Sequence, residues 1–152
     1  MMPARTWFGQ IVAVFRSLMV TNVIPDLIGQ WRLVTTRSHD EDGQPMRLPY
    51  GSEPMGTLIF FANGRMMASL CDGRAVIPEA ELPREFVAYG GHYTMDGETL
   101  STRVDFTSDL PRMGTDQVRG VKYSDGLLTL LPPPRSFEGR TQYRELVWEK
   151  IQ

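Results

Sequence analysis

The sequence predicts an all-β fold, an eight-stranded antiparallel up-and-down barrel with an amphipathic helix in front of it, and three observations predict it. From Gly29 onward, apolar and polar residues alternate with a period of two in eight separate segments, the spacing of half-buried strands. Three of the joins are tight and carry Asn63-Gly64, Asp96-Gly97 and Asp125-Gly126, residue pairs that tolerate positive φ in hairpin turns. Long and short joins then alternate along the chain. In a meander this places every tight turn at one end of the strands and every long loop at the other. Eight strands are about the number that closes around one small ligand.

The strands are expected at 29–37, 56–62, 65–71, 86–95, 98–107, 115–123, 126–131 and 141–149. Long loops at 38–55, 72–85, 108–114 and 132–140 ring a mouth, and residues 78–85 suit a short helical turn. The tight-turn end forms the floor. Closure sets the start of the first strand beside the end of the last, bringing Trp31 and Trp148 together there as an apolar plug. Ahead of the barrel, Trp7, Phe8, Ile11, Val12, Phe15, Leu18 and Met19 recur at helical spacing until Asn22 and Pro25 stop the pattern. Residues 1–24 are therefore an N-terminal helical extension and 25–152 the barrel domain. A stripe that apolar needs cover, either from the floor or from a second chain in a homodimer.

Bulk properties narrow the function classes. A net charge of −2 with both signs scattered along the chain gives no electrostatic footprint for nucleic acid. No apolar run has transmembrane length, since Gln10 and Arg16 interrupt the longest candidate. Cys71, the only cysteine, permits no intrachain disulfide and favours a reducing compartment. The cytoplasm is the expected location. Export is the alternative, because Arg5 and the stretch from Trp7 to Phe15 imitate a signal peptide, but the bulky Leu18-Met19-Val20 offers no cleavage site. Two histidines, His39 and His92, and one cysteine make no metal constellation, and no phosphate loop or nucleophile elbow is present. No metal or cofactor is expected.

Strand parity sorts the candidate site residues. In the fifth strand Leu100, Thr102, Val104 and Phe106 share the inward face, leaving Arg103 and Asp105 outside as a solvated pair. In the fourth, Tyr89, Gly91, Tyr93 and Met95 face in and His92 faces out. In the last, Leu146 and Trp148 must face in, and parity takes Arg144 and Gln142 with them. An arginine inside a barrel needs acceptors for its fork of donors. Tyr93, Tyr89 or a bound carboxylate supplies them on one reading; on the other, Arg144 sits near the rim and snorkels to water. The sixth strand also has two readings. Its pattern favours Thr115, Gln117 and Arg119 outside as a polar ladder, and the rival reading turns Gln117 and Arg119 inward as ligand donors.

Several ordered pieces carry a resemblance. Gly29-Gln30-Trp31 resembles the G-x-W signature that begins the first strand of lipocalins. Further pieces are Asp42-Gly43-Gln44, Pro49-Tyr50-Gly51 with Pro54 and Gly56, Asn63-Gly64-Arg65-Met66, and Tyr89-Gly90-Gly91-His92-Tyr93. Gly114-Thr115-Asp116-Gln117-Val118-Arg119 and Leu146-Val147-Trp148-Glu149 complete the set. Over residues 26–150 the chain resembles the microbial lipocalin-like domain proteins, which implies a barrel with a ligand-sized cavity and inward-facing Gln117 and Arg119. Where such proteins tend to carry a histidine in the fifth strand, this chain has Thr102 followed by Arg103, so chemistry resting on that histidine finds no support here.

The expected function is binding of a small, largely apolar or amphipathic molecule, with an acidic group as one option. The expected ligand set is Arg144, Tyr93, Tyr89, Thr102, Phe106, Gln117 and Arg119. The alternative is a cofactor-free isomerase or cyclase folding a polyketide- or terpenoid-like substrate of secondary metabolism, with Tyr93 or Arg144 stabilising negative charge and Asp105 as base.

Overall fold

A computed structural model describes residues 26–151. The helical extension expected over residues 1–24, and with it the homodimer through that helix, lies outside the described residues. Nine strands form: β1 (Gly29–His39), β2 (Pro54–Phe60), β3 (Arg65–Asp72), β4 (Phe86–Asp96), β5 (Thr99–Thr107), β6 (Asp116–Ser124), β7 (Leu127–Leu131), β8 (Arg135–Phe137) and β9 (Arg140–Ile151). Each of β1 to β6 pairs antiparallel with the next, β7 pairs with β9, and β9 closes onto β1. Eight strands thus make the barrel. The ninth, β8, is a short hairpin arm on the β9 edge at the mouth, within the segment expected to be a plain loop. Among the described residues no helix is long and apolar enough to cross a membrane. The helical turn expected within 78–85 is a 3-10 turn at Glu79–Glu81, and a second spans Leu110–Arg112.

Turn chemistry puts the closed end where the sequence predicts it. Gly64, Gly97 and the pair Asp125 and Gly126 all have positive φ, the conformation that these tight hairpins demand. Trp31 is fully buried there, and its indole N–H donates to the carbonyl of Leu27 at 2.9 Å. The residues leading into β1 therefore cap the end of the barrel, while the Lys150 ammonium lies 5.6 Å from the Trp31 ring. One apolar core fills the barrel around Trp31, Leu58, Phe60, Met66, Leu100, Leu128 and Trp148. Trp148 sits two register pairs inward of Trp31, opposite Leu33. Gly56 makes room for it, because a Cβ there would stand 3.3 Å from the Trp148 ring and 2.9 Å from the Ser69 carbonyl oxygen.

A bulge in β5 overturns part of the parity reading. Gly90 pairs with Phe106 and Gly91 with Val104, so Asp105 is an extra residue with no register partner. Gly91 is required at this spot, since a Cβ would fall 1.8 Å from the Arg103 carbonyl oxygen. Beyond the bulge the inward face changes phase. Phe106, expected inside, lies exposed over the outer surface of Gly90 and lines an outer groove with Phe61 and Met67. The expected Arg103–Asp105 pair does not form either. Asp105 takes both ends of the Arg65 fork at 2.6 and 2.7 Å, and Arg103 pairs with Asp116, its register partner on β6.

Candidate active cavity

Above Trp148 the barrel interior is open. Leu58, Ala68, Leu70, Val87, Leu130 and Leu146 form an apolar wall around a cavity of about 100 Å³. Its upper rim changes character completely: Arg112, Arg119, Arg135 and Arg144 line it, with Tyr50, Tyr89 and a single carboxylate, Glu85.

Each arginine is delivered by a different piece of backbone. Arg144 comes from β9, four residues before Trp148 and hence about 13 Å nearer the mouth at extended-strand rise. It is half-buried, and one terminal N–H₂ donates to the Pro133 carbonyl at 3.1 Å. Its Nε is buried with no hydrogen-bond partner among the described residues. Burial, and then the positive charges of Arg135 and Arg119, push its pKa down to about 10. The protein holds a cation here at a cost.

Arg119, on β6, and Arg112, from the 3-10 turn, share one acceptor. The side-chain oxygen of Gln117 receives a bond from Arg112 at 3.1 Å and one from Arg119 at 3.3 Å, while its amide donates to Thr115. The Arg112 guanidinium also lies 5.7 Å from the Tyr89 ring and pairs with Asp109 at 2.9 Å. Arg135, on β8, is held by a 2.7 Å bond from its Nε to the Gln142 side chain. Gln142 is itself buried and donates to Ser38 and to the Arg47 carbonyl, so the β8 arm is tied to the barrel wall through it.

Tyr50 enters from the loop between β1 and β2. Its φ is +62° and that of Gly51 is +71°, two successive left-handed residues of which only the second is glycine. The Glu85 carboxylate accepts the Tyr50 backbone N–H at 2.9 Å and secures the conformation. Gly51 has no room for a side chain, because a Cβ would meet the Asp72 carboxylate at 2.4 Å. A non-glycine residue held left-handed costs on the order of 1 kcal/mol, and such strain clusters where a side chain must be aimed. Here it aims Tyr50 at the cavity. Burial and then the Glu85 charge push the Tyr50 hydroxyl up to about 12, leaving it a neutral donor at physiological pH.

The residues expected at the site therefore separate into three groups. Arg144, Tyr89 and Arg119 line the cavity. Gln117 stands behind it, holding two of the arginines, and its strand faces inward where the alternation favoured outward. Tyr93, Thr102 and Phe106 do not line it. Tyr93 faces in but sits at the closed end, its ring edge-on to Phe60 at a centroid distance of 4.8 Å. Thr102, its register partner, is fully buried in the same region. Asp105, the base candidate of the isomerase or cyclase alternative, is on the outer surface, where the Arg65 guanidinium holds its carboxyl below the usual range. Tyr50, Glu85, Arg112 and Arg135 are cavity residues that strand parity did not reach. All four belong to the loops expected to ring the mouth or to their edges.

A family model described as a lipocalin-like domain matches residues 28–151. Among solved structures, an uncharacterized protein from Bacteroides eggerthii DSM 20697 is similar at 13% identity with a TM-score of 0.42, over 83% of this chain and 100% of that one. No curated protein matches.

Proposed function

The chain belongs to the lipocalin-like domain family, and from that premise we propose that its barrel binds a small amphipathic acid, apolar end down and acid group at the arginines. The observation that carries this is Arg144: a half-buried guanidinium with, among the described residues, an orphaned Nε and no carboxylate partner, set directly above an apolar cavity. Burying a charge unpaired is expensive. A carboxylate bound at the rim offsets that cost by two charge-assisted hydrogen bonds. An engineered apolar cavity of roughly 150 Å³ accommodates benzene, so the buried end here is about ring-sized or smaller.

Isothermal titration calorimetry with phenylacetate and its methyl ester tests the reading. The two share shape and differ in charge, and the acid is expected to bind at least about tenfold tighter. Equal affinity would overturn the proposal, as would preference for the ester.

A further inference from the structure

Charge bookkeeping at the rim is not balanced by a single carboxylate. Four guanidiniums meet there. One of them, Arg112, is paired with Asp109, and Glu85, which makes no ion pair among the described residues, adds one further negative charge to the lining. Arg119, Arg135 and Arg144 have no carboxylate within 4.0 Å among the described residues; their bonds go to the neutral oxygens of Gln117, Val118, Gln142 and Pro133. Their neutral tethers hold the guanidiniums in place without neutralising them, so an excess of two positive charges remains at the neck of a low-dielectric cavity. Repulsion there is felt, since after burial itself the charges of Arg135, Arg119 and Arg112 disfavour the cationic form of Arg144.

From this juxtaposition we infer that the head group carries two negative charges, as a phosphate monoester or a pair of adjacent carboxylates, on a compact apolar body. This deepens the acid-binding reading and rests on it. A dianion neutralises the excess in full, and its four or more acceptor lone pairs suit donors converging from β6, β8 and β9. A monoanion leaves one charge of the excess uncompensated.

The experiment compares phenyl phosphate with its monoanionic methyl diester, and phenylmalonate with phenylacetate, by calorimetry at pH 7.5. Each dianion is expected to bind at least about tenfold tighter than its monoanionic partner. Phenyl phosphate affinity should rise with pH through its second ionisation near 6. In Arg119→Gln the dianion-to-monoanion ratio should fall. The tighter of the two dianions identifies the head group as phosphoryl or dicarboxylate. If the dianions bind no better than the monoanions while phenylacetate still outbinds its ester, this inference fails and the acid-binding reading stands. If neither charge state outbinds the neutral ester, both fail. An unchanged ratio in Arg119→Gln would place the dianion preference elsewhere on the surface and also overturn the inference.

Discussion

Arg144→Met is expected to weaken phenylacetate binding by about 1.5–3 kcal/mol, roughly tenfold to hundredfold, while methyl phenylacetate changes little. Methionine keeps much of the arginine stem, so the wall against Leu146 and Leu130 is preserved and a packing effect would touch both compounds alike. The same substitution should stabilise the free protein. The folded-state pKa of Arg144 is depressed, meaning that the fold disfavours the cation. The unfolded chain holds that proton more tightly, so stability rises with pH only above about 10, and at neutral pH the full cost is present. Removing the charge relieves it. With the group only half-buried, the gain is on the order of 1 kcal/mol, or about 3 °C in Tm. A variant that loses affinity for the acid and gains thermal stability is the signature of a residue kept for binding. Loss of stability, or equal loss for acid and ester, would make Arg144 a structural element of the wall.

The second large effect falls on the cavity floor. Trp148→Ala should cost about 3–5 kcal/mol in urea-induced unfolding, since it removes a fully buried indole from the meeting point of β1, β7 and β9. Domains of this size hold roughly 5–15 kcal/mol in all, so the variant is expected to be marginal. Trp148→Phe is the informative companion. The indole N–H of Trp148 is buried without a hydrogen-bond partner among the described residues, an unfavourable state that phenylalanine abolishes. Its cost should therefore be well under half that of alanine. If Trp148→Phe proves as damaging as Trp148→Ala, the indole N–H has a stabilising partner and the floor as described is wrong.

The barrel was legible because its signals are local and redundant. Asn63-Gly64 and Asp125-Gly126 announce hairpins by their φ requirement, and the alternation of loop lengths orders the ends with no further information. Arg144 was legible because Trp148 and Leu146 anchor the parity of β9 with no interruption between them. Phe106 and Asp105 were not, because the bulge opposite Gly91 inserts one residue and a slip of one exchanges the faces. The doublet Gly90-Gly91 inside a strand was the available hint. Tyr93 shows a different limit: parity gives a face but not a height, and at its height Phe60 fills the interior. Arg112, Arg135, Tyr50 and Glu85 lie where no period operates. Their positions depend on tertiary contacts, namely the shared Gln117 acceptor, the Gln142 tie and the strained backbone at Tyr50. A search of the mouth loops for cations would have found the two arginines, although not their convergence.

The acid-at-arginine claim is tested most directly at the arginine nitrogens themselves. In ¹⁵N-correlated NMR spectra the Nε–Hε signal of Arg144 is identified by its disappearance in Arg144→Met. Titrating wild type with phenylacetate should shift that signal saturably, because a carboxylate docking on the guanidinium changes the surroundings of an Nε that has no hydrogen-bond partner among the described residues. Methyl phenylacetate should leave it nearly still. Saturable binding of the acid with an unmoved Arg144 signal, or equal shifts from acid and ester, would contradict the account.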